Sequence, residues 1–341
     1  MSVTRREVLG GAAAGAGLLA CPTVLRAQAP KVLKISHQFP GGTLEQGDFR
    51  DRLCRKFAAE VEKRTGGAVR ADVYANASLM KTQAQFSSLR KGALDMSLYP
   101  LAYAGGEVPE TNLGLMPALV TNYDQAAKWK NAQIGQELAK TLDDKGVVIL
   151  SWIWQSGGVA SRVGPILVPE DVKGVKIRGG SREMDLMFQA AGAQVSTILS
   201  NEVYIGMQTG ALDAAVTSST SLISFRLEEL SKNLTASRGR SFWFMLEPLM
   251  ISKATLKALT PEQQTIVREV GASLEPFGTE AAKQDDEEVA KVYAAKGVKV
   301  HDLTDEHIEK WKAVARDTAW KDFAAKSKRA AELLKMAEAT T

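Results

Sequence analysis

Apolar and polar residues follow a strand, helix, strand order along the first part of the chain. Residues Lys31 to Ser36 alternate and predict a first strand. Apolar positions then recur at helical spacing from Phe49 to Val61, and we expect this helix to stop at Gly66-Gly67. The same alternation of elements continues with Val69–Tyr74, Gln83–Lys91 and Leu94–Leu98. Strands that alternate with helices predict an α/β lobe.

The second half contains shorter strands and longer helices. The continuous apolar run Val147 to Leu150 is typical of a strand that is covered on both faces. Short strands are predicted at Val175–Arg178 and Ala214–Val216, with a helix between them whose core face includes Met184 and Met187. Thr260-Pro261-Glu262-Gln263 combines a cap, a proline at the first helical position and a capping-box partner. The last third of the chain is therefore expected to be mainly helical.

The first 29 residues differ from the rest. Arg5-Arg6 precedes a short Gly/Ala-rich apolar run, and small residues follow up to Ala27-Gln28-Ala29. This order predicts a twin-arginine export signal, because the apolar run is shorter than the roughly 20 residues that span a bilayer. Cleavage is expected after Ala29, or after Ala27 because Pro30 follows Ala29. Two alternatives are a disordered basic start of a cytosolic protein and a lipid anchor on Cys21.

Loss of residues 1–29 changes the charge of the chain. Basic residues fall from 43 to 40 and acidic residues from 39 to 38, which leaves a net charge of +2. A nearly neutral protein lacks the basic surface that nucleic-acid binding requires. Only Cys54 remains, so no internal disulfide is expected. The remaining 312 residues are enough for two lobes.

Signatures of catalysis and of metal binding are missing from the sequence. There is no G-x-x-x-x-G-K-[ST], H-E-x-x-H, C-x-x-C or G-x-S-x-G motif, and the glycine cluster from Gly10 to Gly17 lies within the export signal. The three histidines, His37, His301 and His307, show no ligand spacing. We therefore expect neither an enzyme, nor a metal site, nor a cofactor.

Arg178 is the strongest candidate for a binding residue because it ends a short apolar strand. A guanidinium can present two parallel N–H donors to the two oxygens of a carboxylate, which fixes the orientation of the ligand. The alternative is an internal ion pair with Glu183 or Asp213, since structural ion pairs are common. The residues by themselves leave both interpretations open.

The surroundings of Arg178 resemble a known family. Lys176-Ile177-Arg178, a helix, Glu202-Val203-Tyr204 and Gln208-x-Gly210-x-x-Asp213 follow one another as in the substrate-binding proteins of tripartite ATP-independent periplasmic (TRAP) transporters. The resemblance covers nearly all of the chain after the export signal, and it includes Phe57–Gly67, Leu89–Met96 and Pro169–Arg178. In that family the arginine at the position of Arg178 is the main carboxylate clamp.

The resemblance implies a two-lobed α/β fold of the periplasmic-binding-protein type, with a ligand cleft between the lobes and helices at the C-terminus. The expected limits are 1–29 for the signal, 30–154 with 244–283 for the first lobe, 155–243 for the second lobe and 284–341 for the C-terminal helices. The lobes would close on a small organic anion by a hinge. The loaded protein, a monomer or dimer in the periplasm, would then dock on a membrane permease driven by an ion gradient.

The resemblance also points to other positions around the cleft. Thr217, which is followed by Ser218, stands where many relatives carry an asparagine, and Gln155 and Arg162 lie near the position of a second ligand arginine. One of Trp152 and Trp154 is expected in the core, and Trp154 is preferred for the cleft. The predicted ligand-binding set is Arg178, Thr217, Ser218, Trp154, Gln155, Tyr99, Tyr103, Gln38, Trp243 and Arg162.

A monocarboxylate with an apolar, aromatic or hydroxyl-bearing tail is the expected ligand. Arg178 is the one cation that the sequence assigns to the cleft, so a second carboxylate would be buried without a partner. Aromatic rings offer flat apolar walls, and hydroxyl groups can satisfy a few polar atoms. Two rival functions remain at this point: a binding protein of an ATP-driven uptake system, and a secreted enzyme acting on organic acids, which would need an acid/base pair in the cleft.

Overall fold

A computed structural model describes residues 29–341. The predicted export signal with Arg5, Arg6 and Cys21 lies outside the described residues. The strands are β1 Lys31–Ser36, β2 Val69–Tyr74, β3 Met96–Leu98, β4 Val147–Ser151, β5 Trp154–Ser161, β6 Lys176–Arg178, β7 Gln194–Val195, β8 Ala214–Ser218, β9 Asn233–Ala236, β10 Phe244–Leu246, β11 Leu249–Ser252 and β12 Lys299–Asp302. The α-helices are α1 Phe49–Arg64, α2 Thr82–Lys91, α3 Tyr123–Trp129, α4 Gln133–Asp144, α5 Arg182–Ala190, α6 Val203–Gln208, α7 Ser219–Ser224, α8 Lys253–Lys257, α9 Pro261–Ser273, α10 Glu275–Ala295, α11 Asp305–Ala315, α12 Lys321–Ala325 and α13 Lys328–Thr340.

The first lobe is built on a sheet with the strand order β2-β1-β3-β11-β4. Strands β1, β2 and β3 are parallel, while β11 runs antiparallel to β3 and β4. Helix α1 buries Phe49, Leu53 and Phe57 in the core of this lobe, as its helical spacing predicts. The side chain of Asp48 caps the helix by accepting a hydrogen bond from the backbone N–H of Arg50. The end of β1 and the start of α1 thereby come to the same side of the sheet.

The second lobe is built on a sheet with the order β12-β9-β5-β8-β6-β7. Strand β6 is parallel to β8, so Arg178 at the end of β6 lies at the same edge of the sheet as the end of β8. Strand β5 is antiparallel to β8, with Gly157 opposite Ser218 and Ser161 opposite Ala214. The first residues of β5 therefore also belong to the edge that carries Arg178.

The chain makes two of its passages between the lobes on neighbouring strands, and a third along α10, which leads from the first lobe to β12 in the second sheet. It leaves the first sheet after β4 and enters the second with β5; it returns between β10 and β11. Residues of β10 pair with the first residues of β5, and Glu247 donates its backbone N–H to the carbonyl of Ile153 at 2.7 Å. These two strand crossings, before β5 and after β10, thus lie side by side at the base of the cleft. The predicted lobe limits, 30–154 with 244–283 and 155–243, stay a prediction.

The C-terminal region contains one element that the sequence pattern does not indicate. Residues 284–341 are expected to be helices, but β12 pairs in parallel with β9 at the edge of the second sheet. The long helix α10 precedes this strand and packs against α1 of the first lobe and α7 of the second. Within residues 29–341, no helix is long and apolar enough to cross a membrane. Cys54 is a buried free thiol in the core of the first lobe.

Candidate functional site

Arg178 is fixed by three neutral acceptors. Its side chain is 1 % exposed. Nε donates to the carbonyl of Ile198 at 3.0 Å, Nη1 to the carbonyl of Val216 at 2.8 Å, and Nη2 to the hydroxyl of Tyr103 at 2.7 Å. A guanidinium has five N–H donors. One N–H on each terminal nitrogen is therefore left after these three bonds.

No carboxylate in the described part of the chain hydrogen-bonds to Arg178. Glu183 instead accepts hydrogen bonds from Asn112 at 2.8 Å and from Lys326 at 2.9 Å. Asp213 accepts from the backbone N–H of Lys176 at 3.0 Å. The internal ion pairs that sequence reasoning left open are therefore not formed. Arg178 is a buried cation whose hydrogen-bond partners carry no charge.

Tyr103 brings the first lobe into contact with Arg178. Its hydroxyl oxygen accepts from Arg178 and also from the backbone N–H of Ser200 at 3.2 Å. Tyr99 packs edge-on against Tyr103, with ring centroids 6.0 Å apart, and burial raises the pKa of the Tyr99 hydroxyl. Gln38, just after β1, donates from Nε2 to the Ser200 hydroxyl at 3.2 Å. Residues of both lobes therefore meet around Arg178.

A second buried arginine, Arg50, faces the same edge of β8, although sequence reasoning missed it. Arg50 is fully buried and forms a two-bond pair with Asp48, at 2.8 Å from Nε and 2.6 Å from Nη2. Nη1 donates to the hydroxyls of Ser218 at 3.3 Å and Ser221 at 3.0 Å in the second lobe. Its guanidinium lies 3.5 Å from the ring centroid of Phe39. Although burial acts to lower it, the pKa of Arg50 is raised by the neighbouring carboxylates.

Glu247 completes this buried group from the segment between β10 and β11, where the chain returns to the first lobe. Its Oε2 lies 3.4 Å from Nη1 of Arg50 and accepts a hydrogen bond from Nε2 of Gln155. Burial raises the pKa of Glu247 to about 7, and nearby Asp48 adds to the rise, while Arg50 and Gln155 oppose it. The carboxyl group is thus partly protonated near neutral pH.

The last residues of β8 connect the two arginines. The carbonyl of Val216 accepts from Arg178, and the hydroxyl of Ser218 accepts from Arg50. Thr217 lies between them and is buried, as the carboxyl end of this parallel pair of strands requires. Ser218 also caps α7 by accepting from the backbone N–H of Ser221 at 3.2 Å. Predicted residues Arg178, Thr217, Ser218, Gln155, Tyr103, Tyr99 and Gln38 are thus brought together.

Trp154 lies on the opposite side of its strand. Its ring packs edge-on against Trp129, with centroids 5.1 Å apart, and borders a separate pocket of about 470 Å³ together with Trp152 and Glu275. Its neighbour Gln155 faces Glu247. Because successive strand residues point to opposite faces, only one of the two can face the cleft. The expectation that Trp154 lines the cleft therefore does not fit this arrangement.

Trp243 supports the turn that follows Arg178. Its indole Nε1 donates to the carbonyl of Gly179 at 3.0 Å. The ring lies so close to Gly157 that a Cβ built there would be 2.3 Å from it. Trp243 is therefore packed between β5 and the β6–α5 turn, where it positions the backbone beside Arg178.

Arg162 follows the end of β5 that pairs with the start of β8, away from the end that carries Gln155. Its Nη1 donates to the carbonyl of Met207 at 2.7 Å, and it follows Ser161, which pairs with the first residue of β8. Seven residues of extended chain separate it from Gln155, a distance of roughly 20 Å. The strand thus carries Arg162 away from the cleft, and we leave it out of the candidate site. Within residues 29–341 no cluster of side chains suited to a metal ion is found.

Comparison with known proteins identifies the family. The family model of DctP, described as bacterial extracellular solute-binding protein, family 7, matches residues 43–327. The chain belongs to this family. A solute-binding protein of Albidiferax ferrireducens is 58% identical over 339 residues, which cover 98% of this chain and 99% of that protein.

Solved structures of the family share the fold. A TRAP periplasmic solute-binding protein from Rhodoferax ferrireducens with bound malonate is 60% identical, with a TM-score of 0.89, covering 90% of this chain and 98% of the other. A TRAP protein from Sulfitobacter sp. NAS-14.1 with bound β-D-galacturonate is 23% identical, with a TM-score of 0.82 and coverage of 90% and 99%. The second likeness concerns the fold alone.

Family membership confirms two of the predictions made from sequence. The resemblance to TRAP substrate-binding proteins is confirmed, as is the two-lobed α/β class. A location in the periplasm follows from the family, and the ATP-driven alternative is not favoured. The family fold thus accounts for the two sheets of the structure.

Proposed function

We propose that this protein captures a small organic acid between its lobes, with Arg178 as the carboxylate clamp, and delivers it to a TRAP-type permease. The observation that carries the proposal is the state of Arg178: a buried guanidinium hydrogen-bonded to two carbonyls and one hydroxyl, and to no carboxylate within residues 29–341. The carboxylate of Asp185 is near enough to act on Arg178 electrostatically, but it accepts its hydrogen bond from Thr197. A buried charge without a directly bonded counter-ion is costly, and a ligand carboxylate would supply one.

The hydrogen-bonding groups around Arg178 suit a carboxylate. The guanidinium keeps one free N–H on each terminal nitrogen, and the Tyr103 hydroxyl accepts two bonds from protein donors, so its own hydrogen is available to a ligand oxygen. An ionised carboxylate accepts hydrogen bonds only, and it has room for about four of them. Charge-assisted bonds of this kind are among the stronger ones in proteins.

A monocarboxylate remains the proposed ligand, although the cleft contains a second buried cation. The sequence alone assigns only Arg178 to the cleft, but Arg50 is also buried there. Asp48 and Glu247 already pair with Arg50, so it offers little free charge to a second carboxylate. A 60% identical relative was solved with malonate, a dicarboxylate, and dicarboxylates therefore belong in any test of this preference.

Delivery and export complete the proposal. The protein would leave the cytoplasm through the twin-arginine signal at Arg5-Arg6, with lipid attachment at Cys21 as the alternative. In the periplasm it would act as a monomer or dimer and hand its ligand to the permease subunits. We propose binding without turnover, and the rival of a secreted enzyme predicts that a bound acid is converted on incubation.

A thermal-shift panel tests the proposal. Purified protein is mixed with monocarboxylates that are aromatic, hydroxylated or keto-substituted, with dicarboxylates, and with neutral sugars. A ligand at 100 times its Kd should stabilise the fold by about 2.7 kcal/mol, which is visible as a rise in Tm. We expect carboxylates to raise Tm and their neutral amides not to do so. A rise with neutral sugars alone would contradict the proposal.

A further inference from the structure

Glu183 is a buried carboxylate that joins three distant parts of the chain. It lies in the first turn of α5 and is 0 % exposed. Its Oε1 accepts hydrogen bonds from Nδ2 of Asn112 at 2.8 Å and from Nζ of Lys326 at 2.9 Å. Asn112 belongs to the first-lobe segment between β3 and α3, α5 belongs to the second lobe, and Lys326 directly follows α12 in the C-terminal region. One oxygen atom therefore connects both lobes and the C-terminal helices.

The charges around Glu183 are balanced by residues from two of these parts. Nη1 of Arg182 lies 3.7 Å from the same Oε1, and Arg182 also pairs with Asp322 of α12. Nζ of Lys326 lies 3.6 Å from Oδ2 of Asp322. A buried carboxylate is costly unless such partners surround it. The stability of this group therefore depends on the present arrangement of α5 and α12.

Asn112 supports the segment that carries Tyr103. A short 3-10 helix, Leu101–Ala104, ends at Gly105. A Cβ built on Gly105 would lie only 1.7 Å from Oδ1 of Asn112, so a side chain at this position would collide with the amide. The backbone of Gly105 thus lies directly against Asn112. A displacement of Asn112 is therefore transmitted to the segment that presents Tyr103 to Arg178.

The start of α5 supports Arg178 in a similar way. Ser181 caps the helix, and its hydroxyl donates to the carbonyl of Leu115, in the same first-lobe segment, at 3.3 Å. A Cβ built on Gly180 would lie 2.7 Å from Nη1 of Arg178, so the turn before α5 packs directly on the guanidinium. The bonds at Glu183 and Ser181 therefore hold the turn beside Arg178 to the first lobe.

We propose that Asn112, Glu183 and Lys326 form a lock that holds the two lobes closed over the bound ligand. This inference rests on the proposed capture of an acid between the lobes. The three are positioning residues, which act through Tyr103 and Arg178 and not by contact with the acid. The lock forms when the lobes close, and it is broken when Glu183 separates from Asn112. Through Lys326 the C-terminal region takes part in ligand retention.

A purely structural role of the same contacts leads to different consequences. Contacts that are present in the open and the closed state stabilise the free and the loaded protein alike, so their loss leaves Kd unchanged. Contacts that form only on closure stabilise the closed state alone. Their loss raises Kd and leaves the stability of the free protein unchanged. Ligand affinity and the stability of the free protein, measured together, distinguish the two roles.

Calorimetric titration of the full mature protein, with the acid that raises Tm most in the thermal-shift panel, tests the lock. Lys326→Met removes the cation at similar length and should raise Kd about tenfold, which corresponds to one charge-assisted hydrogen bond. Lys326→Arg keeps the charge and a donor, and its Kd should stay within about threefold of the wild-type value. Lys335→Met, at an exposed lysine of α13, is the matched control and should leave Kd unchanged.

A second variant opens the lock from the first lobe. Asn112→Asp keeps the shape of the side chain but places a carboxylate where Nδ2 lies 2.8 Å from Glu183, and it should raise Kd at least about tenfold. Urea unfolding of each free variant should match the wild-type protein. Unchanged Kd in both folded variants, with or without a loss of stability in the free protein, would overturn the lock and leave the carboxylate clamp intact. Failure of every carboxylate to bind the wild-type protein would overturn both.

Discussion

Replacement of Arg178 by alanine is expected to remove most of the ligand affinity. The variant loses the two N–H donors that are left for the ligand, and it loses a charge that lies in a site only 1 % exposed. Truncation of one partner in a buried charged pair costs about 2–5 kcal/mol. This range corresponds to roughly 30- to 4,000-fold in Kd. Arg178→Lys should also bind weakly, because an ammonium keeps the charge but not the fork of donors.

The measurement is isothermal titration with the acid that raises Tm most in the panel. Arg162→Ala serves as the matched control, since Arg162 also belongs to the second lobe and also donates to a backbone carbonyl, but lies outside the candidate site. Its affinity should stay within about twofold of the wild-type value, a difference of less than half a kcal/mol. Circular dichroism checks that each variant folds. Near-native affinity in folded Arg178→Ala and Arg178→Lys would refute the clamp and assign Arg178 a structural role.

Three further predictions concern export, closure and pH. Replacing both Arg5 and Arg6 by lysine should stop export, and undiminished protein in the periplasmic fraction would contradict the twin-arginine signal. Ligand should draw the lobes together, because Tyr103 and Arg178 come from different lobes. Small-angle scattering should show a smaller radius of gyration at saturation than in the free protein. An unchanged scattering profile would indicate a rigid pocket. The pKa of Glu247 is raised from 4.5 to about 7 in the folded state, so its ionisation opposes folding. This penalty on the free energy of folding is absent below pH 4.5 and reaches about 3 kcal/mol above pH 7. Urea unfolding should therefore show that the wild-type protein loses this much stability relative to Glu247→Gln between pH 4.5 and 8. Stabilities of the two proteins that change in parallel with pH would contradict the raised pKa.

Elements with local signals could be predicted from the sequence. Strands β1 and β2 have the predicted bounds, because alternation of apolar and polar residues is visible within each segment. The capping box at Thr260 is formed as expected, with Gln263 bonded to the cap in both directions. The position of Arg178 at the end of a strand also follows from a short local pattern. Family resemblance then supplied the two-lobed arrangement that no local pattern contains.

The parts that sequence reasoning missed depend on contacts between distant segments. Alternation shows that Trp154 and Gln155 face opposite sides, but the direction of the cleft is decided by the pairing of β5 with β10. Arg50 stands two residues from Asp48, and in the sequence the two resemble an ordinary ion pair on the surface. Arg50 is enclosed only because Glu247 and the end of β8, both distant in the sequence, pack against it. Strand β12 contains four residues at a sheet edge, which is too short for a clear pattern.

A crystal structure of the protein with the most tightly bound acid of the panel tests the central claim most directly. The account predicts carboxylate oxygens within hydrogen-bond distance of Nη1 and Nη2 of Arg178, with the Tyr103 hydroxyl as a further donor. A carboxylate bound instead at Arg50, or an acid held in the pocket beside Trp152 and Trp154, would contradict it.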